Sequence, residues 1–402
     1  MNRFDLRVLD LETEVQVLSV MTALGVDPAG IKKMAGKAQS LNVLIEAVPC
    51  GSANIIKQEM LAIGADAAVA RGSVTCSRPQ TDVLLMGTKK QLHALVQRLP
   101  YQPFGLATVA QQLHTLLIHY SQYPTYLVGK DCRLELDRPQ VMGIINVTPD
   151  SFYDGGMSCT IDDALRQAEL QVAAGADILD IGGESTRPGS LSVAAQTERD
   201  RVVPVVEAIR SRFTIPISVD TTKASVAQSV LACGANFVND ISGLTFDPNM
   251  AHVVAQSGAG LFVMHTRGRP DVMQKDTQYQ DLVAEVISSL RYSTCLAIEA
   301  GVSRDKISID PGIGFGKSVK GNLEILKRLS ELRGLGYPVL LGTSRKSFIG
   351  NILNQPQAEQ RLNGSLATVS LAVARGVQLF RVHDVEATRH VADMAWAMTA
   401  RC

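Results

Sequence analysis

Polar side chains that can bind ligands follow short apolar runs at eight places in the chain. In sequence order they are Asn146, Asp180, Asp220, Asn239 with Asp240, His265, Asp310, Thr343 with Ser344, and Arg381 with His383. Arg381 and His383 are two residues apart, so in a strand they point to the same side. Because arginine binds phosphate with two parallel hydrogen bonds, this pair suits an anion. Together, the eight positions can form parts of one active site.

The apolar runs that precede these positions predict eight β-strands separated by helices. The predicted strands are 141–148, 177–183, 216–221, 237–243, 260–266, 307–312, 338–343 and 379–384. Near-continuous apolar strands between helices indicate a parallel sheet covered on both faces. Eight such units in roughly 265 residues predict a closed (β/α)8 TIM barrel, whose strand ends lie at one rim. An open doubly wound sheet is the alternative, but no GxGxxG sequence follows the first strand, which weakens its dinucleotide-binding form.

A simpler interpretation exists for each polar strand end. Such residues often cap the next helix or bind a loop amide. That explanation accounts for any single position, but it accounts poorly for eight positions in succession.

The chain is predicted to have two domains. Residues 130–402 form the barrel, and residues 1–129 form a small α/β domain of unknown role. In the latter, strands are predicted at 43–49 and 81–88, and helices at 52–64 and 109–123. No group of residues in this region indicates a particular chemistry.

Composition excludes several functional classes. The 402 residues include 39 basic and 39 acidic side chains, so the net charge is zero and nucleic acid or a membrane surface is not an expected partner. No apolar run reaches the length of a membrane span, and the charged N-terminus is unlike a signal peptide. The seven cysteines are dispersed without a CxxC pair, which favours free thiols and a cytoplasmic location.

With these strand ends in place, the sequence resembles the dihydropteroate synthase family over roughly residues 138–400. GIINVTPDSFYDGG and DIGGESTRPGS resemble the two mobile loop motifs of the family, and SVDTTKASV, FVNDISG, MHTRGRPDVMQ, DPGIGFGKS, GTSRKSFIG and RVHDV match its other segments in order. The resemblance implies a TIM-barrel transferase that carries a pterinylmethyl group. It would condense 6-hydroxymethyl-7,8-dihydropterin diphosphate with 4-aminobenzoate, giving 7,8-dihydropteroate and diphosphate in folate biosynthesis.

The resemblance assigns the pterin ring to Asp220, Asn239, Asp310 and Lys346. A pterin presents donors and acceptors side by side, and a carboxylate can accept two parallel N–H bonds. Met264 could pack on the ring face, although ordinary core packing accounts for it equally well.

For the diphosphate, the resemblance implies Asn146, Arg381 and His383, with Mg²⁺ as cofactor and Asn146 as its protein ligand. An amide oxygen suits this ion, which usually keeps several waters and takes phosphate oxygens. Asn146, Arg187, Lys346, Arg381 and His383 are the expected catalytic set. His383 also has the alternative explanation of a hydrogen-bonded core histidine.

For 4-aminobenzoate, the resemblance implies Thr186, Arg187 and Pro188, in a loop that closes over it. Phe315 would offer an aromatic face and Ser344 a hydroxyl for the carboxylate. The family is thought to react by a dissociative substitution, and the sequence shows no activated serine or cysteine nucleophile.

A further hypothesis concerns the first loop, in which Asp150 and Ser151 are expected to help order the chain around the site. Unchanged kcat/KM after replacement of Asp150 by alanine would contradict it.

Two other functions are considered. A pterin-binding methyltransferase of the methyltetrahydrofolate–corrinoid type would share the barrel, but it would leave NVTPDSF, ESTRPG and RVHDV unexplained. A non-catalytic pterin-binding paralogue should have lost anion-site residues, yet Asn146, Arg187, Arg381 and His383 are present. A homodimer is expected from the resemblance alone.

Overall fold

The computed structural model describes residues 5–11, 13–147 and 157–399. The chain separates into two compact units, with the division between Ser121 and Gln122. In the parts of the chain that the structure describes, no helix has the length and apolar character needed to cross a membrane.

The N-terminal unit contains a three-stranded antiparallel sheet in the order β1–β3–β2. Its strands are β1 (Ser40–Pro49), β2 (Asp66–Val69) and β3 (Gln80–Thr88), and its helices are α1 (Glu14–Ala23), α2 (Pro28–Met34), α3 (Cys50–Ala62), α4 (Lys89–Arg98) and α5 (Leu106–Ser121). The predicted strands at 43–49 and 81–88 are confirmed as β1 and β3. The predicted helices are confirmed as α3, which ends two residues early, and α5. Strand β2 was not predicted, because the sequence Asp-Ala-Ala-Val has little β-propensity.

The C-terminal unit begins with a hairpin and continues as a barrel. The hairpin consists of β4 (Tyr126–Gly129) and β5 (Cys132–Glu135), and the barrel strands are β6 (Gln140–Asn146), β7 (Ile178–Gly182), β8 (Ile217–Asp220), β9 (Phe237–Asp240), β10 (Gly260–Met264), β11 (Ile307–Asp310), β12 (Leu340–Leu341) and β13 (Leu379–Val382). The eight barrel strands pair in parallel in the order β11–β10–β9–β8–β7–β6–β13–β12. A parallel bridge between Ile309 and Val339 joins the two ends of this order and closes the barrel. The predicted TIM barrel is therefore confirmed.

Helices surround the barrel strands. They are α6 (Met157–Ala173), α7 (Ala195–Arg212), α8 (Ala224–Ala232), α9 (Met250–Ser257), α10 (Leu282–Glu299), α11 (Val319–Lys327), α12 (Ser347–Leu353), α13 (Leu362–Ala374) and α14 (Val385–Thr399). The largest apolar core lies between the strands and these helices, with Val219 and Val230 among its fully buried members. Burial on both faces explains why the strands are apolar nearly throughout.

The β4–β5 hairpin fills the barrel at the end where the strands begin. Leu127 packs there in one apolar cluster with Phe237, Phe262 and other residues of the barrel strands, and the centroids of the two phenylalanine rings lie 5.4 Å apart. Gly129 permits this approach, because a Cβ atom on it would lie 2.6 Å from the Phe237 ring. This end of the barrel is thus apolar, and the opposite rim is left for polar side chains.

Replacing Leu127 with alanine should destabilise the C-terminal unit. Its side chain is fully buried, and removing such a leucine costs about 2–5 kcal/mol, so a loss of several degrees in Tm is expected. The matched control is Leu170→Ala on α6, where the side chain is 65% exposed and the expected change is within about 0.5 kcal/mol. Thermal unfolding of the full chain, followed by circular dichroism, measures both. Equal shifts for the two variants would contradict the proposed packing at this end of the barrel.

Candidate active site

Buried charges converge where β7, β8, β9 and β13 end. The guanidinium of Arg381 donates from Nε to Asp180 Oδ2 at 2.5 Å and from Nη2 to Asp220 Oδ2 at 2.9 Å. Asn239 Nδ2 donates to the same oxygen of Asp180 at 3.3 Å. The parallel register causes this convergence, because Asp220 lies beside Gly182 on β7 and Asn239 on β9. Three predicted site residues are thereby brought together around Asp180.

A second group, from β11 and the loops after β11 and β12, lies close enough to the first to interact with it electrostatically. Asp310 Oδ1 accepts from the Gly312 amide at 2.7 Å. Lys346 Nζ donates to the Ile313 carbonyl and lies 4.6 Å from the centroid of the Phe315 ring. Burial lowers the pKa of Lys346 to about 8, with the Asp310 charge acting against that effect.

Mutual electrostatic effects link the two groups. Burial raises the pKa of Asp220 to about 7, opposed by Arg381 and reinforced by Asp180. Burial also acts to lower the pKa of Arg381, but Asp180 and Asp220 outweigh it and the net shift is upward. The Asp310 charge also raises the pKa of Arg381, and the Asp220 charge acts to raise that of Lys346. The cluster therefore combines three carboxylates with two cations in one desolvated space.

His383 lies beside this cluster and binds Ser344. The hydroxyl of Ser344 is 3.0 Å from His383 Nδ1 and accepts from the His383 amide at 3.1 Å. Burial, together with the charges of Arg381, Arg345 and Arg187, lowers the pKa of His383 to about 4, with the Asp384 charge acting against them. The imidazole is therefore neutral at physiological pH, and the structure brings Ser344, Arg381 and His383 to one region.

Asn146 ends β6 at the same rim. A Cβ atom on Gly182 would lie 3.8 Å from Asp220 Cβ and 3.9 Å from Asn146 Oδ1. The side chains of Asn146 and Asp220 therefore both lie next to this glycine. The following motif residues, 148–156, lie outside the described residues. The hypothesis about Asp150 and Ser151 concerns this segment and stays a prediction.

The loop at 184–190 borders a cleft next to the cluster. The cleft is open to solvent and is lined by Thr186, Asp220 and Arg269 among others. Arg187 and Pro188 are exposed on this loop. Asp220 thus belongs both to the charged cluster and to the cleft wall, whereas Arg187 and Pro188 make no direct contact with the cluster among the hydrogen bonds and ion pairs of the described residues.

Met264 and Phe315 lie at the same rim with different exposure. Met264 is 4% exposed at the end of β10, and a Cβ atom on Gly312 would lie 3.2 Å from its Cγ. Gly312 adopts φ +68° and such a Cβ would be 1.9 Å from the His265 carbonyl, so only glycine fits there. Phe315 is half-buried over Lys346.

Two buried residues that the sequence did not assign to the site support it. Asp180 was recognised only as a polar strand end, yet it binds both Arg381 and Asn239. Lys317 is 3% exposed; its Nζ donates to the Gly312 and Phe315 carbonyls at 2.9 Å and lies 2.8 Å from His265 Nδ1. Position at a strand end was a usable signal for Asp180, whereas nothing in GFGKS indicated that its lysine would be buried.

Comparisons with known proteins agree with this geometry. The family model for pterin binding enzymes matches residues 142–383. A dihydropteroate synthase from Synechocystis is 47% identical over 261 residues, which cover 65% of this chain and 90% of that protein. The solved structure of Xanthomonas albilineans dihydropteroate synthase with 4-aminobenzoic acid has a TM-score of 0.64 at 42% identity, covering 70% of this chain and 100% of that chain.

A longer relative resembles the N-terminal unit as well. A probable bifunctional folylpolyglutamate synthase/dihydropteroate synthase from Halobacterium salinarum is 40% identical over 378 residues, covering 92% of this chain and 45% of that protein. The family model, the extent and identity of these matches and the charged cluster at the barrel rim lead to one conclusion: the chain belongs to the pterin-binding enzyme family and, within it, to the dihydropteroate synthases, which are transferases.

Proposed function

We propose that the charged cluster at the barrel rim binds the dihydropterin and that the adjoining loops bring 4-aminobenzoate to its diphosphate-bearing carbon. The observation that carries this proposal is the convergence of Asp220, Asn239, Asp310, Lys346 and Arg381 at one end of a closed barrel. The products are 7,8-dihydropteroate and diphosphate.

The pterin ring has a 2-amino-pyrimidinone edge that needs both donors and acceptors. Asp310 is 6% exposed, and among the hydrogen bonds of the described residues its carboxylate accepts through Oδ1, from the Gly312 amide. Asp180 Oδ1 is buried and has no hydrogen-bond partner within the described residues. A buried oxygen without a donor costs free energy, and a ligand N–H that reaches it recovers that energy. Asp310 and Asp220 are therefore proposed to accept from the ring, with Asn239 and Lys346 completing its hydrogen bonds and Met264 packing on a face.

The diphosphate is proposed to bind Arg381, His383 and Asn146. Arg381 uses Nε and Nη2 for carboxylates, and Nη1 makes no hydrogen bond within the described residues. Ser344 occupies His383 Nδ1, which leaves Nε2 as a donor if Nδ1 accepts from the hydroxyl. These two donors can stabilise negative charge on the departing group.

Mg²⁺ is the proposed cofactor, and the donor set fits a metal carried by the substrate. No group of three or more His, Cys, Asp or Glu among the described residues could form a complete protein cage. One amide oxygen, from Asn146, is nevertheless compatible with an ion that retains waters and phosphate oxygens. When bound, Mg²⁺ neutralises charge on the diphosphate.

4-Aminobenzoate is proposed to bind against the 184–190 loop. Thr186 lines the cleft, and Arg187 and Pro188 extend the loop surface beyond it. Phe315 supplies an aromatic face next to Lys346. The Ser344 hydroxyl is proposed to donate to the carboxylate when its hydrogen turns away from His383 Nδ1. This arrangement places the amine near the pterin without a covalent enzyme intermediate.

The chemistry proposed for these residues is a dissociative substitution. The bond between the exocyclic carbon and the diphosphate oxygen breaks first, and positive charge develops on the pterin. Asp180, Asp220 and Asp310 face that charge from fixed strand ends, so their field stabilises it without reorganisation. The aryl amine then forms the new carbon–nitrogen bond and loses a proton. Arg381 keeps the carboxylates together throughout.

We also propose a homodimer and a cytoplasmic location. Leu371 on α13 and Met394 and Met398 on α14 are each about 60% exposed, and these neighbouring helices could supply an apolar interface. The described cysteines are all free thiols, as expected in a reducing compartment.

The N-terminal unit is proposed to fold as a domain of its own, because it has a separate apolar core.

Substituting Asp220 or Asp310 with asparagine should reduce kcat/KM at least about a hundredfold, since each loses a charged acceptor worth about 1.5–3 kcal/mol and a field on the cationic transition state. Diphosphate release, measured with and without 4-aminobenzoate and Mg²⁺, is the assay. The control is Asp305→Asn at an exposed position. Full activity in both site variants would contradict the proposal.

The pH dependence of kcat/KM for the pterin substrate should be bell-shaped, with its optimum between about pH 7 and 8. Asp220, with a pKa of about 7, is ionised above that pH, and Lys346, with a pKa of about 8, is charged below that pH. Both conditions hold only between the two values.

A Lys346→Arg variant separates the two limbs of this profile. Its residual activity should lose the alkaline limb and keep the acid limb, because arginine stays protonated. An alkaline limb that is unchanged in this variant would show that another group is responsible for it.

A further inference from the structure

The start of the 184–190 loop is fixed to helix α7. A Cβ atom on Gly183 would lie 2.6 Å from Val202 Cγ1 and 3.2 Å from Glu198 Cγ, so the backbone there packs directly on the helix. Arg201 Nη1 donates to the Gly183 carbonyl at 2.8 Å. The loop therefore leaves the barrel from a defined point.

An ion triad then holds the first side chain of the loop. Lys223, the N-cap residue of α8, donates from Nζ to Glu198 Oε2 at 2.5 Å and also to Glu184 Oε2. The Glu198 side chain is 1% exposed, whereas those of Lys223 and Glu184 are 20% and 18% exposed. One carboxylate thus comes from the helix scaffold and the other from the loop, and a single ammonium joins them.

The charge balance makes Lys223 the central member of this triad. Burial raises the pKa of Glu198, and hydrogen bonds from Lys223 and Thr221 act against that rise. Burial acts to lower the pKa of Lys223, but its hydrogen bonds to Glu184 and Glu198 outweigh the effect and the net shift is upward. The ammonium is therefore charged at neutral pH, and both carboxylates depend on it.

The rest of the loop is braced against itself and the neighbouring loop. Ser190 Oγ donates to the Ser185 and Arg187 carbonyls at 2.5 and 2.7 Å, and the Gly189 amide donates to the Pro270 carbonyl at 3.0 Å. Because residues 185–190 form a closed turn, its position is set by Glu184 at its start and by the Gly189–Pro270 hydrogen bond near its end. The Arg187 and Pro188 side chains are carried on its exposed surface.

We infer that Lys223 is a positioning residue for the second substrate: by joining Glu184 to Glu198, it holds the 184–190 loop where Thr186 and Arg187 can meet 4-aminobenzoate. This inference rests on the proposed assignment of that loop to 4-aminobenzoate. Lys223 makes no hydrogen bond or ion pair with the charged cluster at the barrel rim within the described residues, and it acts on the second substrate through Glu184.

A double variant separates this role from simple stabilisation of the fold. Lys223→Met alone leaves Glu198 as an uncompensated buried charge and should lower Tm. Adding Glu198→Gln removes that charge, so Tm should recover, but Glu184 still has no cation to bind. The double variant is expected to keep a KM for 4-aminobenzoate raised about tenfold, the equivalent of one charged hydrogen bond, with the KM for the pterin diphosphate changed by less than about twofold.

Glu184→Gln provides a second route, because it removes the charge on the loop and leaves the scaffold intact. It should raise the KM for 4-aminobenzoate as the double variant does, with Tm unchanged. Lys320→Met, at an exposed position on α11, is the matched control and should alter neither quantity. If the KM for 4-aminobenzoate returns to normal along with Tm in the double variant, Lys223 is only structural and the inference fails.

Two further measurements distinguish this failure from failure of the proposed function. Amide hydrogen exchange over 184–190, without substrate, should be faster in the double variant whatever the loop binds. Arg187→Ala should raise the KM for 4-aminobenzoate if the loop binds it. A normal KM for 4-aminobenzoate in Arg187→Ala overturns the assignment of the loop to this substrate. If that KM is raised in Arg187→Ala, but the Lys223 variants change neither the KM for 4-aminobenzoate nor hydrogen exchange over 184–190, only the inference about Lys223 is overturned.

Discussion

The site depends on one largely buried guanidinium, 20% exposed, that spans two buried carboxylates. Arg381 on β13 reaches Asp180 on β7 and Asp220 on β8, so one side chain ties together three strands of the barrel. Removing one member of such a group leaves an uncompensated buried charge, which typically costs 3–5 kcal/mol. The charged side chains at this rim therefore stabilise one another, and their ion pairs fix the relative positions of the strands that carry them.

The barrel makes this set possible by separating apolar from polar ends. The hairpin and the Phe237 and Phe262 rings occupy the end where strands begin, so that the interior needs no polar group there. At the other end, small residues leave room for large ones: Gly182 lies between Asn146 and Asp220, and Gly342 lies close to Arg381 and Lys346. Close packing around charged groups excludes water and strengthens their mutual interactions.

Sequence periodicity was sufficient for the strands, the rim and most of the candidate site, because parallel strands buried on both faces leave continuous apolar runs that end in polar residues. Periodicity did not indicate which side chains bind one another. Asp180 and Arg381 are 201 residues apart in the chain, and only the closed strand order brings them together. The same holds for Lys223 with Glu184 and Glu198, three residues on separate elements whose contact nothing in the sequence indicated. Strand β12, predicted at 338–343, has only two residues; it pairs regularly with β13 but is joined to β11 by a single bridge.

A site that expels a diphosphate is expected to be mainly basic, yet three carboxylates lie at its centre. The proposed chemistry resolves this contrast, because the two substrate halves develop opposite charges as the bond between them breaks. Carboxylates held by Arg381 suit the half that becomes cationic, while the remaining edge of Arg381, neutral His383 and Asn146 suit the half that leaves as an anion. Acidic groups fixed by strand ends cannot follow the leaving group, so the field they impose favours the separated state over the intact ester.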